Sequence, residues 1–374
     1  MSGTRRAIIL PVYSWNPYQR LLAAALREEG VEVTLVDSWS KRSPILGAWW
    51  SHGRPETVQL HWVHDFLGGG KGQPTRRNVR WFEWQLRTLR RLGVRIVWTA
   101  HNLRSHGGVD DPRELDAYRR LVAQSHAVIA HCEAARRALI ETYDLDEHLA
   151  ARIRVIEHGS YVTHYAVDCD ASAARSALGL PQDGRVFAFV GSIRGYKGVG
   201  DLIDAFMRLH ETGPRDRLLV CGRPGPRRAS RDIEQRAAAD SRIILRLERL
   251  PDANLSEVLR ASDVVVLPFR DILTSGSAIL AMSHGRPVVA PRLGCLPETI
   301  PPDAGILYDP DVPGALEAAM RSALKRDLAA IGARARELAD ELDWGSVARR
   351  TAELYAPARD GASRLPAVLR RSKG

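Results

Sequence analysis

Cysteine is scarce in this chain. Its 374 residues hold four, at positions 132, 169, 221 and 295, with no Cys-x-x-Cys. That spacing fits neither a disulfide framework nor a zinc site and suits a reducing compartment. Long apolar runs are missing too; none approaches the ~20 residues of a membrane span. The opening Met1-Ser-Gly-Thr-Arg-Arg leads straight into Ala7-Ile-Ile-Leu-Pro11. That is too short for a signal peptide, so a cytoplasmic location is expected. No Gly-x-Gly-x-x-Gly follows this first apolar run, which disfavours a dehydrogenase. Asp-x-Asp occurs as Asp144/Asp146, Asp168/Asp170 and Asp309/Asp311, all in turn-like or linker context. A metal site gains no support from these, and neither metal nor cofactor is expected.

What is present is an ordinary globular composition, 45% hydrophobic and 26% charged, long enough for two full cores. The net charge of +10 favours anionic partners. Nine tryptophans and interspersed acidic residues argue against a basic nucleic-acid arm, and no nucleic-acid partner is expected.

Short apolar strands alternate with helical patterns along the whole chain. The spacing predicts strands at 7–10, 32–36, 58–62, 95–98, 127–130 and 153–157, with helices around 17–29, 76–92, 111–124 and 132–143. A second series places strands at 186–190, 217–221, 242–246, 263–267 and 287–290. Strand–helix alternation of this kind gives parallel sheets covered on both faces. The fold class is therefore α/β, with two doubly wound Rossmann-like domains at 1–168 and 169–342. A helix follows at 343–358 and a basic tail at 359–374, the tail expected to be disordered.

The second domain carries two strand-to-helix turns rich in small residues. One is Gly191-Ser-Ile-Arg-Gly-Tyr-Lys-Gly198, with Ser192 in the turn and Arg194 and Lys197 supplying charge. The other is Thr274-Ser275-Gly276-Ser277, opening a helix that Gly285 can close. Unpaired backbone N–H groups at a helix N-terminus bind phosphate. One such turn could be an ordinary capped helix. Two, a few βα units apart, read as a half-site for a nucleoside diphosphate sugar. Arg223 and Glu298, each in a turn after a strand, join the candidate donor contacts.

With these pieces the chain resembles the two-domain glycosyltransferases of the GT-B fold. The likeness is to the family-4-like group and its exopolysaccharide β-1,4-mannosyltransferase relatives. It rests on the order of Asn16-Pro-Tyr-Gln-Arg-Leu-Leu22, Leu60-His-Trp62, Trp98-Thr-Ala-His-Asn-Leu103, Ile156-Glu-His-Gly159, Gly191–Gly198, Cys221-Gly-Arg-Pro224, the 267–298 block and the segment Trp344–Tyr355. The resemblance implies a donor nucleotide on the C-terminal domain and an acceptor approaching the N-terminal one. It also implies a last helix crossing back, and favours GDP-mannose as donor, a nucleotide sugar serving as co-substrate. The chain departs from the retaining enzymes at their Glu-x7-Glu pair. The corresponding positions are Ile272 and Leu280, so the ribose contact loses its usual residue. The Thr-Ser-Gly-Ser form is closer to inverting transferases.

Inversion needs a general base for the acceptor hydroxyl. Ten of the 12 histidines lie before residue 165, many at strand ends, where open α/β sheets bind ligands. Asp65 and His101 are the candidate bases. His61, Asn102, His158 and Gly159 are candidate acceptor or cleft residues. Asn16 either caps the first helix or touches the acceptor.

The 76–92 helix sets Val79, Phe82, Leu86 and Leu89 on one stripe and Arg76, Arg80, Arg87, Arg90 and Arg91 beside it, with Trp81 and Trp84 beyond. Arg beside Trp suits an anionic lipid surface and a lipid-linked glycan acceptor; a solvated basic face is the competing reading. Lys71 of Gly68-Gly-Gly-Lys-Gly72 adds charge before it, in a loop that is no P-loop. A sugar-nucleotide epimerase of the same fold and a non-catalytic sugar-nucleotide-binding protein are the alternative functions.

Overall fold

The computed structural model describes residues 4–37, 42–68, 74–105, 111–165, 170–225 and 227–356. The Lys71 loop and the 359–374 tail lie outside them. The chain divides into two units, one of residues 1–159 with 344–374 and one of residues 160–343. The division at Gly159 precedes the expected 168/169 boundary. One reason is visible in the second unit, where the Tyr161 N–H donates to Ser283 Oγ at 3.0 Å.

The first unit holds strands β1 (Arg5–Leu10), β2 (Val31–Leu35), β3 (Thr57–Leu60), β4 (Arg95–Thr99), β5 (Ala127–Ala130) and β6 (Ile153–Val155). They form one parallel sheet in the order β2-β1-β3-β4-β5-β6. β3 and β5 are buried at every position, as expected of strands covered on both faces. The chain moves from β1 to β2 on one side and then to β3 on the other. The carboxyl ends of β1 and β3 therefore flank a topological switch point.

The helix Trp344–Tyr355 belongs to this unit. Its Val347, Ala348, Ala352 and Tyr355 are buried in a core with Leu22 and Leu26 of the helix Tyr18–Glu28. Arg95 Nε donates to the Leu354 carbonyl at 3.0 Å, and the Tyr355 hydroxyl donates to Gln59 Oε1. Burying each large apolar side chain here contributes about 1.5–3 kcal/mol.

The second unit repeats the plan with β7 (Val186–Val190), β8 (Arg217–Cys221), β9 (Ile243–Arg246), β10 (Val264–Val266), β11 (Val288–Pro291) and β12 (Gly305–Tyr308). The order is β12-β11-β10-β7-β8-β9, all parallel. Its switch point falls between β7 and β10.

Several elements were not expected from the sequence: the helices Pro44–Ser51, His64–Gly68, Glu147–Ala150, Leu296–Thr299, Ala315–Ala323 and Leu328–Glu341 and the strand β12. Cys221 is a buried free thiol.

Candidate active site

In the second unit the two small-residue turns meet at the switch point. Gly191 leaves β7 at φ 152° and donates to the Cys221 carbonyl at 3.0 Å, while Ile193 N–H donates to the Arg223 carbonyl at 2.9 Å. These bonds hold the 191–198 turn against the 222–225 turn. A Cβ on Gly191 would stand 3.4 Å from Ser277 Oγ, so that hydroxyl lies beside the β7 turn. Ser275 caps the helix Gly276–Ser283, its Oγ accepting from Ala278 N–H at 3.1 Å. Gly276 and Ser277 occupy the first turn, where N–H groups lack helical acceptors, and both remain half-exposed. Thr274 Oγ1 lies 3.5 Å from Cys295 Sγ, which ties this turn to the loop after β11.

Lys197 ends the short 3-10 turn Gly195–Lys197. It is 8% exposed, with Nζ 4.2 Å from the centre of the Phe269 ring and 5.2 Å from that of Tyr196. Among the described residues no carboxylate pairs with it. Burial pushes its pKa down to about 8. An ammonium this buried without a counter-charge is poised to gain from an arriving anion. The turn is fixed at both ends. Arg270 N–H donates to the Tyr196 carbonyl at 2.8 Å, and the Arg270 guanidinium grips Asp201 in a two-point pair at 2.7 and 2.6 Å. Arg194, Arg223 and Glu298 are exposed at the edges of the same turns. Ile272 and Leu280, standing where retaining enzymes carry glutamates, are buried apolar side chains.

In the first unit the strand ends gather histidines around one ring. His61, His101, His131 and His158 follow β3, β4, β5 and β6 and lie with ring centres 5.8, 5.1, 5.6 and 4.7 Å from that of Tyr18. Trp344 closes the group at 5.3 Å. His61 Nδ1 is 2.8 Å from His101 Nε2, and His131 Nδ1 donates to the Ile156 carbonyl at 2.9 Å. Burial drives these imidazoles neutral: His61 and His158 to about 3, His131 to about 4, and His101 well below the usual value. The low basicity of His101, and the engagement of its Nε2 with His61, make it a poor base. His158 packs on Tyr18, and its Nδ1 donates to the Gly159 carbonyl at 2.7 Å. A Cβ on Gly159 would come within 2.5 Å of the Trp344 indole, so glycine is needed there for packing.

Asp65 lies in the first turn of the helix His64–Gly68. Its Oδ2 accepts from the Tyr13 hydroxyl, and its Oδ1 is 3.5 Å from His64 Nε2. Burial first, and the bond to Asp65 second, raise the Tyr13 pKa, so the phenol stays a donor. Asn16 precedes the first helix, its Oδ1 accepting from Tyr18 N–H at 3.0 Å. Asn102 is half-exposed beside His101. Tyr13 and Tyr18 were not singled out in the sequence; the signal for both was an aromatic just after the first strand.

Asp146 and Asp170 each cap a helix, accepting from Leu149 and Ala173 N–H, and Asp309 caps its own turn by accepting from Asp311 N–H. Among the described residues no group of three or more His, Cys, Asp or Glu is placed to hold a metal ion.

The stripe of the helix Arg76–Arg91 is buried as expected, together with Glu83 and Gln85. Two of its arginines are occupied. Arg87 pairs with Glu83 at 2.6 Å, and Arg90 Nη1 donates to the Ala123 carbonyl at 3.0 Å. Trp81 and Trp84 stack with ring centres 4.6 Å apart, 41% and 45% exposed. Arg76, Arg77, Arg80 and Arg91 are exposed beside them without carboxylate partners among the described residues. Also among the described residues, no helix is long and apolar enough to cross a membrane.

Comparison with known proteins agrees with the fold. The family described as Glycosyltransferase Family 4 matches residues 16–160, and the family described as Glycosyl transferases group 1 matches residues 184–326. A D-inositol 3-phosphate glycosyltransferase of Corynebacterium glutamicum is 30% identical over 73% of this chain and 68% of its own length. Among solved structures, a sucrose-phosphate synthase from Thermosynechococcus elongatus superposes with a TM-score of 0.74 at 19% identity, covering 94% of this chain and 98% of that one. Anabaena HepE in complex with UDP and glucose gives 0.72 at 17% identity, covering 93% and 98%.

Proposed function

The chain belongs to the GT-B glycosyltransferases of the family-4 type, a hexosyltransferase, and from that premise we propose its substrates and the course of its reaction. In this reading it moves mannose from GDP-mannose to a sugar hydroxyl of a glycan or lipid-linked glycan, with inversion and without a metal ion. The carrying observation is the buried, carboxylate-free Lys197 in a turn that approaches the helix opening at Gly276 and Ser277.

A diphosphate there would take its counter-charge from Lys197 and Arg194 and its hydrogen bonds from the first-turn N–H groups. As the bond from the sugar's anomeric carbon to the diphosphate oxygen breaks, its electron pair stays on that oxygen. The same groups then stabilise the growing charge, a kind of contribution worth about 10²–10³ in rate per donor. Asp65 takes the proton of the attacking acceptor hydroxyl, worth about 10²–10⁴. Tyr13 holds the carboxylate in place. GDP-mannose rests on the resemblance to exopolysaccharide mannosyltransferases.

The stacked Trp81–Trp84 pair and the exposed arginines beside it support a second part of this reading: the helix Arg76–Arg91 rests on an anionic lipid surface, in reach of a lipid-linked acceptor.

The test is a thermal-shift series with GDP, UDP, ADP and TDP and their sugar nucleotides, followed by product analysis. A ligand that binds only the folded state raises Tm, so a selective rise with GDP supports the donor. A rise with another base overturns GDP-mannose and leaves the donor site standing. A sugar nucleotide epimerised or hydrolysed with no glycan product overturns transfer. Binding without turnover favours a non-catalytic protein.

A further inference from the structure

We propose that Tyr13, Trp15 and Trp62 form a platform on which a pyranose ring of a glycan acceptor stacks. The inference rests on the glycosyltransferase reading and names the acceptor's chemistry. The three rings form a continuous band over the ends of β1 and β3, the switch point of the first sheet. Tyr13 and Trp15 stack with centres 5.1 Å apart at 22°, and Tyr13 and Trp62 lie 5.2 Å apart at 51°. Trp62 then lies nearly parallel to His101, 4.3 Å away at 13°. Trp15 is 48% exposed and Tyr13 and Trp62 are half-buried, so Trp15 is the exposed ring of the stack, backed by the other two at strand ends where ligands bind. One face of a pyranose is a set of C–H bonds with slight positive charge, and an aromatic face is negative; the two surfaces match.

The polar groups at the band fit the same ligand. Asp65, bonded to Tyr13, can accept a sugar hydroxyl, and neutral His101 at the other end can pair with another. A phosphorylated polyol fits less well. Arg20 donates to the Ser14 carbonyl at 3.0 Å, and Asp65 would repel the phosphate. The band thus distinguishes this chain's acceptor from the one named for its inositol 3-phosphate relatives.

The test uses the full chain and whichever sugar nucleotide raises its Tm. Initial rates of transfer to mannobiose, cellobiose and D-inositol 3-phosphate are measured for wild type, Trp15→Ala, Trp15→Phe and Trp62→Phe. The expected result is transfer to a disaccharide, with its KM raised about tenfold in Trp15→Ala. Trp15→Phe should recover most of that loss, and the donor KM should stay unchanged in all variants. An unchanged disaccharide KM in Trp15→Ala overturns the platform, as does preference for D-inositol 3-phosphate. Transfer to neither disaccharide, with nucleotide binding intact, also overturns it while the donor site survives. Absence of any nucleotide-induced Tm rise overturns the donor reading itself and the platform with it.

Discussion

A Cβ placed on Gly222 would stand 1.6 Å from the carbonyl oxygen of Gly191, so these two glycines let the turns after β7 and β8 touch backbone to backbone. Gly222 also has φ 154°, a conformation that side chains rarely adopt. Gly222→Ala should therefore force the two turns apart and cost about 2 kcal/mol or more. Nucleotide-induced Tm shifts should vanish while the far-UV spectrum stays native. A variant that binds nucleotide normally would show that the close approach is dispensable.

Lys197 should make nucleotide affinity depend on pH. A lysine held at about 8 is charged at pH 7 and largely neutral at pH 9. A diphosphate prefers the charged form, so binding above pH 8 must take up a proton. Affinity should fall as pH rises, approaching tenfold per unit. Calorimetry in buffers of different ionisation enthalpy reads that proton directly. Lys197→Ala should flatten the profile and cut turnover by about two orders of magnitude.

Asp65→Asn should lower turnover about 10²–10⁴-fold with nucleotide binding intact. His101→Asn, removing a weakly basic imidazole, should cost turnover much less. Single-turnover rates decide between them, and the reverse ranking would move the base to His101.

The imidazoles around Tyr18 predict acid sensitivity. His61, His131 and His158 are held at about 3, 4 and 3 in the folded protein, against 6.5 when exposed. Their folded values are depressed, so the unfolded chain binds more protons between these limits. Stability is fully present above pH 6.5 and is lost as pH falls toward 3–4, by up to ~1.4 kcal/mol per pH unit for each histidine. Urea unfolding of wild type and His131→Asn between pH 4 and 7 should show a shallower slope in the variant.

The helix Arg76–Arg91 should bind vesicles containing phosphatidylglycerol and not those of phosphatidylcholine alone. Replacing Arg80 and Arg91 by Gln should remove about 2 kcal/mol, roughly thirtyfold in affinity. Co-sedimentation reads this, and equal binding to both vesicle types would contradict the lipid-facing assignment.

Much of the fold was legible because the strands are short, mostly apolar runs bounded by turns; 127–130, 186–190 and 217–221 agree with the structure residue for residue. β12 was missed because Gly305-Ile-Leu-Tyr308 is brief, begins with glycine and lacks alternation. The helix Pro44–Ser51 was missed because its Pro, Gly and tandem Trp give no polar face. For the site, strand ends carrying histidine were visible one at a time. Their convergence on Tyr18 depends on the strand order, which no local pattern encodes. The helix His64–Gly68 hid the environment of Asp65 in the same way, since its partner Tyr13 lies 52 positions earlier.

The hydrogen bond from Tyr355 to Gln59 joins residues 296 positions apart, and the whole second unit is spliced between them. Synthesis from the N-terminus therefore delivers the two units out of order. Residues 160–343 are contiguous and can complete their sheet as soon as they emerge. The first unit, started earlier, must wait with Leu22 and Leu26 uncovered until Val347 and Tyr355 have left the ribosome. The unit that begins first finishes last, and a chain cut short before residue 344 strands it without its final helix.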